Sequence, residues 1–277
     1  MHPQSEPCGS RSNPADCLKI VPFNNGDNHA GAVLARPPLF SGVLPADYTR
    51  IVAAAHVKQF ARREVLHLEG DPVHRVLALT SGFAKTSKLS TSGTEVILRF
   101  GVPGDVLGAT DLFSSGKHCT SVQAFRPCRA LVWDAGAFKS LVERYPVLHV
   151  NMVRILIGDL VELEDRFREV ATEKVGPRVA RQLLRLEEQI GRNVDGVIEI
   201  GLSREELAQM TGTTLFTVSR LLSAWEALGM VKPGRESVSI CDGPSLRAIG
   251  GGDTSLRSGG PVLGHEPTPT RAFRMSG

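Results

Sequence analysis

The residues best placed to do chemistry lie in Leu202–Asp242, LSREELAQMTGTTLFTVSRLLSAWEALGMVKPGRESVSICD. Arg220 carries a planar fork of donors that fits the O6 and N7 of guanine, the commonest specific contact to a base edge. Phe216, Thr217 and Ser219 share its side of a helix, because Val218 and Leu221 belong to the opposite, apolar side. The hydroxyls of Thr214 and Thr217, with backbone N–H groups at a helix start, suit phosphate oxygens. Arg204 and Arg235 flank this set. The chemistry implied is recognition of double-stranded DNA rather than bond making. A helical hairpin packed on another protein surface would use a similar pattern.

These side chains need two helices and a hairpin to hold them. Ser203 with Glu206 three residues on is a capping box, and Leu207, Ala208 and Met210 give that helix a short apolar face. Gly212 permits the turn. Thr214 is the expected N-cap of a second helix, whose apolar positions Leu215, Val218, Leu221, Leu222, Trp225 and Leu228 recur three and four apart until Gly229. Two β-prone runs, Met230–Lys232 and Ser237–Cys241, joined by Pro233-Gly234, complete a winged helix-turn-helix.

Composition constrains the rest. The 277 residues suffice for two domains, and the net charge of +3 does not by itself argue for nucleic acid. Within Leu202–Asp242, Arg204, Arg220, Lys232 and Arg235 face Glu205, Glu206, Glu226, Glu236 and Asp242, so any DNA contact rests on geometry and not on a basic patch. The five cysteines, Cys8, Cys17, Cys119, Cys128 and Cys241, form no CxxC. No leader-like or membrane-spanning apolar run occurs, which predicts a cytoplasmic protein with reduced thiols and no membrane partner.

In chain order, residues 1–38 are rich in Pro, Gly, Asn and Ser and read as a disordered tail. Leu39 to Val57 predicts a short helix pair. From Lys58 to Trp133 the period becomes strand-like, with glycines at 70, 82, 93 and 104, which predicts an antiparallel roll of the cupin or jelly-roll kind with a hairpin tip at Ser92-Gly93. Residues 39–145 are then the roll domain, ending in a short helix from Ala135. A long helix follows over 146–172. Its Val153, Leu156, Leu160, Leu163, Phe167 and Val170 form an a/d seam, which predicts a parallel homodimer; packing of this helix on its own roll is the alternative. Gly176-Pro177 begins a new helix after a hinge between Val170 and Pro177, and residues 173–249 form the C-terminal domain. Residues 250–277 read as a second disordered tail. The fold class is α+β.

The order of roll, long helix, hinge and winged helix resembles the cyclic-AMP receptor / fumarate-nitrate regulator (Crp/Fnr) family of bacterial transcription factors. The likeness covers about Leu39 to Ile249. It is carried by Glu69-Gly70-Asp71, by Ser81-Gly82, by PGDVLG at Pro103–Gly108 and by TGTTLFTVSRLLSAWEALGMV. The resemblance implies a cyclic-nucleotide-binding-type roll, a homodimer on a palindromic operator and, for an activator, contact with RNA polymerase. It places an effector region around Gly104, Asp105, Gly108, His118, Cys119 and Thr120.

Departures from the family pattern are informative. Members that bind cyclic AMP carry Gly-Glu after the PGD turn, for the ribose hydroxyl, and Arg-Ser about ten residues on, for the phosphate. Here Ala109 follows Gly108, and Cys119-Thr120 stands in the place of Arg-Ser. A buried phosphate without a cation is costly, so cyclic nucleotide is not the expected effector. Lys117 and Arg126 are near in sequence but are not expected to point inward. Phe216 stands where many members have Glu, exchanging an acceptor for cytosine N4 for an apolar contact. Other chemistries have weaker support. An iron–sulfur cluster would need Cys8 and Cys17 with Cys119 or Cys128, a spacing unlike that of the oxygen-sensing members. A thiol switch or a haem or metal at His118-Cys119 is a further alternative. A metal-dependent cupin enzyme would rest on His67, Glu69 and His74, with no HxH pair. The reading is therefore of a non-enzyme without a cofactor or assigned metal ligands.

Overall fold

The structure is a computed structural model describing residues 37–251. The two expected tails lie outside the described residues apart from 37, 38, 250 and 251, and so do Cys8 and Cys17. Pro38–Phe40 forms one 3-10 turn, and α1 spans Pro45–Ala53 with Pro45 in its first turn. The helix pair expected over Leu39–Val57 is thus one turn and one helix. Val57 already lies in β1 (His56–Phe60), where pairing of five residues with a distant strand overrides the local apolar spacing.

The roll continues with β2 (Val65–His67), β3 (Arg75–Ser81), β4 (Ala84–Leu89), β5 (Glu95–Gly101), β6 (Val106–Leu107), α2 (Ala109–Phe113), β7 (Ser121–Ala124) and β8 (Cys128–Asp134). Two four-stranded antiparallel sheets result, in the orders β1-β8-β3-β6 and β2-β7-β4-β5. Leu77, Leu79, Leu107, Val122 and Val132 fill the space between them. Gly82 turns β3 into β4 with φ +75°, and a Cβ there would fall 2.1 Å from the Pro127 carbonyl oxygen, so no other residue fits. The β4–β5 hairpin turns at residues 90–94, around the expected Ser92-Gly93. α2 was not anticipated; five residues are too few to show a period.

α3 (Ala135–Arg144) and α4 (Val147–Thr172) close one side of the roll. Trp133 is fully buried there and donates its Nε1–H to the Ile51 carbonyl at 2.8 Å. Asn151, 1% exposed, donates to the Leu39 and Ser41 carbonyls and pins α4 to the first turn of the described chain. Met152 is the last buried apolar residue of the helix, and Ile155 beyond it still packs on the same cluster.

The break after α4 falls at Glu173, whose backbone is extended. α5 (Val175–Ile190) therefore starts two residues before Pro177, which sits in its first turn, where a missing N–H costs nothing. An unanticipated hairpin follows, β9 (Arg192–Val194) and β10 (Val197–Ile200), turning on Asp195-Gly196 with both φ values positive. Then come α6 (Arg204–Thr211), α7 (Leu215–Ala227), β11 (Val231–Pro233), β12 (Val238–Ile240) and α8 (Gly243–Ile249). The third sheet runs β11-β12-β10-β9, so the wing is four-stranded rather than a simple hairpin. α8, also unforeseen, is capped by Asp242 and packs on α5. Leu183, Leu186, Leu207, Val218, Leu222 and Trp225 form the core of this half, and Ile97, Phe100 and Phe125 of the roll join the same cluster. No helix among the described residues is long and apolar enough to cross a membrane.

Candidate nucleic-acid interface and effector region

The capping box at the start of α6 is complete. Ser203 Oγ accepts from the Glu206 N–H, and the Glu206 carboxylate accepts from the Ser203 N–H. Gly212 ends the helix with φ +59°. Thr214 caps α7 by accepting from the Thr217 N–H at 3.2 Å, and the two threonine hydroxyls lie 2.9 Å apart. Their first role is thus internal, holding the start of α7.

Val218, Leu222 and Trp225 bury one side of α7. Phe216 is 75% exposed, Arg220 is exposed and Thr217 and Ser219 are partly so. These four residues share the outward side, the disposition that lets a helix present side chains to a groove. Two apolar positions behave differently from the periodic reading: Leu215 and Leu228 are 50% and 68% exposed, because they sit at the helix ends where the core no longer covers them. Arg204 is partly buried, with its Nε enclosed and without a hydrogen-bond partner. Arg235 is exposed at the wing tip. Beside it Glu236 forms a 2.9 Å ion pair with Arg62 of the roll, which holds the Glu236 carboxyl below the usual carboxylate range.

A set of arginines joins the three parts of the chain. Arg166 of α4 donates to the carbonyls of Ile97 and Leu98 in β5 and of Met210 in α6. Arg178 of α5 donates to Val170 and Glu173 at the end of α4 and to Thr211 and Gly212 at the end of α6, satisfying carbonyls that helix ends leave open. Buried Glu169 accepts from Arg181 and Arg185. The expected hinge region is therefore bridged by cations on helix C-termini.

Along α4 the seam residues face outward. Val153, Leu156, Leu160, Leu163, Phe167 and Val170 are 54, 47, 53, 56, 74 and 50% exposed, and Ile157 adds a seventh position at 56%. The stripe does not pack on its own roll.

The six residues expected around an effector separate into two groups. Gly104 and Asp105 lie before β6, where Asp105 accepts from Arg99 and from the Val102 N–H. Gly108, with φ +81°, precedes α2, and a Cβ there would come within 3.1 Å of His118 Cε1. His118 is 5% exposed and its Nδ1 lies 3.2 Å from Asp111 Oδ2. Its ring stacks on His67, with centroids 3.6 Å apart and planes 5° from parallel. Cys119 is exposed, and Thr120 is partly so. Arg126 turns away from this group, over the Phe83 ring and against Gly201 of the C-terminal half.

No metal ligands are expected from the sequence; the structure brings His67, Asp111 and His118 together with ligand atoms all within 4.8 Å. In the sequence, His67 groups with Glu69 and His74, its neighbours in the chain. The pairing of β2 with β7, His67 opposite Val122, is what carries it to His118. Two of the described cysteines, Cys119 and Cys128, are held in the thiol form. Hydrogen bonding to Asp111, then burial, pushes the Cys119 thiol up, and burial pushes the Cys128 thiol up to about 11.

The sequence matches the cyclic nucleotide-binding domain over residues 57–145 and the Crp-like helix-turn-helix domain over residues 177–249. A relative from Mycobacterium tuberculosis, named CRP-like cAMP-activated global transcriptional regulator, is 27% identical over 216 residues, covering 77% of this chain and 96% of its own. The global nitrogen regulator of a Nostoc species is 26% identical, covering 66% of this chain and 84% of its own. The fold is similar to that of the c-di-GMP responsive global regulator CLP from Xanthomonas campestris, with a TM-score of 0.64 and 19% identity, over 70% of this chain and 98% of that one. The chain belongs to the Crp/Fnr family of DNA-binding transcriptional regulators, with a cyclic nucleotide-binding-type roll and a Crp-like helix-turn-helix.

Proposed function

We propose that the protein acts as a homodimer on a palindromic operator, joined through α4, with α7 of each protomer in a major groove. Residues 39–145 form the sensor, 146–172 the dimer helix and 173–249 the DNA-binding domain. Arg220, Phe216, Thr217 and Ser219 face the bases, while Thr214, Arg204 and Arg235 serve the phosphates. The observation that carries this reading is the outward face of α7, where Phe216 is 75% exposed beside exposed Arg220, opposite the buried Val218, Leu222 and Trp225. A helix that follows a capped turn, precedes a wing and turns such a face outward has the form of one that enters a groove. Selecting bound sequences from random duplex DNA tests it. The expected result is an inverted repeat with half-sites about one helical turn apart; recovery of unrelated sequences would refute it. If the protein activates, RNA polymerase is a further partner.

The sensor does not answer to cyclic AMP in this proposal, although the Mycobacterium tuberculosis relative is named for it. A similar fold occurs in a regulator named as c-di-GMP responsive, so the fold alone does not fix the effector. At the places where cyclic-AMP-binding members hold ribose and phosphate, this chain has Ala109, 3% exposed, and Cys119, whose thiol is pushed above its ordinary range and stays neutral. Neither supplies a charge for the ligand. Cyclic AMP and cyclic GMP at millimolar concentration are expected to leave both the thermal midpoint and operator affinity unchanged. A ligand present at a hundred times its dissociation constant would add ~2.7 kcal/mol to stability, which differential scanning fluorimetry resolves readily. A shift abolished by substituting Cys119 or Thr120 would overturn this part.

A further inference from the structure

We propose that His67, Asp111 and His118 are the ligands of a divalent transition-metal ion bound inside the roll. Two imidazoles and one carboxylate are a donor set for ions such as Zn²⁺ or Co²⁺, and not for Ca²⁺ or Mg²⁺, which take oxygen. The three ligand atoms lie within 4.8 Å of one another. In a tetrahedral site with bonds near 2.05 Å they would stand about 3.3 Å apart, so side-chain torsions alone have to close the difference.

The backbone around His118 is fixed before any ion arrives. Its N–H donates to the Asp71 carbonyl at 2.9 Å, and its carbonyl accepts from the Gly70 N–H at 2.8 Å. The Glu69 N–H donates to Ser121 Oγ at 3.0 Å, and the Val73 N–H to the Gly116 carbonyl at 2.9 Å. These contacts lock the loop after β2 onto the loop before β7. Gly108 admits the His118 ring, since a side chain there would collide with it. On the same short helix Asp111 reaches His118 Nδ1.

A purely structural histidine pair leaves one observation unexplained. His67 Nδ1 is enclosed and has no hydrogen-bond partner, an arrangement that costs free energy with nothing to offset it. With the two stacked rings turned so that their nitrogens converge with the carboxylate on one point, an ion there would satisfy the orphaned nitrogen.

The experiment uses the full chain without an affinity tag, stripped with chelator and titrated with Co²⁺ while the visible d–d absorption is followed. One ion per chain is expected, displaced by stoichiometric Zn²⁺. His67→Gln and Asp111→Asn are each expected to lower affinity by ~100-fold or more, beyond what loss of a supporting outer partner costs. Asp111→Asn keeps shape, and circular dichroism of each stripped variant controls for folding. Cys119→Ser keeps all three ligands and is expected to bind as the parent does. The proposal fails if stoichiometric uptake is absent. It fails equally if both ligand variants bind undiminished, which would put the ion on other histidines, or if Cys119→Ser abolishes binding. None of these readouts involves DNA, so the outcome is separate from that of the operator selection.

Discussion

Leu160→Glu is expected to leave the protein monomeric at micromolar concentration and to weaken operator binding by about 10²- to 10⁴-fold, the advantage that linked sites have over one. Leu160 lies midway along the α4 stripe and is 53% exposed, between Leu156, Ile157 and Leu163, all near half exposure. The stripe from Val153 to Val170 runs along roughly 27 Å of helix, and the described residues leave it half exposed or more nearly throughout. In a two-fold pairing of parallel helices, Leu160 meets its symmetry mate. Two glutamates there would take unpaired charge into an apolar seam, at several kcal/mol for each ion. Within one protomer the same change is mild, because the side chain is already half in water. Helix content by circular dichroism is therefore expected to persist while sedimentation velocity reports one chain. A variant that sediments as a dimer would remove α4 as the interface.

Much of the scaffold for this site was legible from short-range chemistry. Ser203 with Glu206, Gly212 and Thr214 each perform a local task, capping or turning a helix, and such tasks leave a residue type at a fixed offset. The α4 stripe was legible because an unpaired face must still repeat every three or four residues. Pro177 misled by two positions, since proline is tolerated anywhere in a first turn and marks a helix start only loosely. Leu215 and Leu228 fit the period yet lie in water, because period says nothing of where the covering layer ends. The histidine cluster was not legible at all. Its members come from β2, α2 and the loop before β7, and they meet only through strand pairing and the glycine at 108. Nor did the sequence hint that Arg166 and Arg178 would tie α4, the roll and α6 together through backbone carbonyls, since carbonyl acceptors have no residue signature.

Arg220→Ala is expected to weaken binding to the matched operator by ~1–3 kcal/mol in each half-site. Over two half-sites this is about 2–6 kcal/mol, or roughly 30-fold to 10⁴-fold in affinity. Arg220 stands on the outward side of α7 one turn after Phe216, and among the described residues it makes no hydrogen bond or ion pair. Removing it therefore leaves no internal group unsatisfied, and the thermal midpoint is expected to stay within about a degree or two, as for other surface changes. The loss should be concentrated at one base pair of the half-site. Fluorescence anisotropy on the matched duplex and on duplexes substituted at each position reads this directly. The parent should lose affinity on substitution of the guanine, and the variant should be indifferent to it. Phe216→Ala, beside it on the same face, offers the contrast of an apolar contact: a smaller loss, confined to a different position and largely independent of salt. If Arg220→Ala instead weakens all sequences equally and lowers the salt dependence by about one ion, the arginine serves a phosphate and the base-reading role falls to its neighbours.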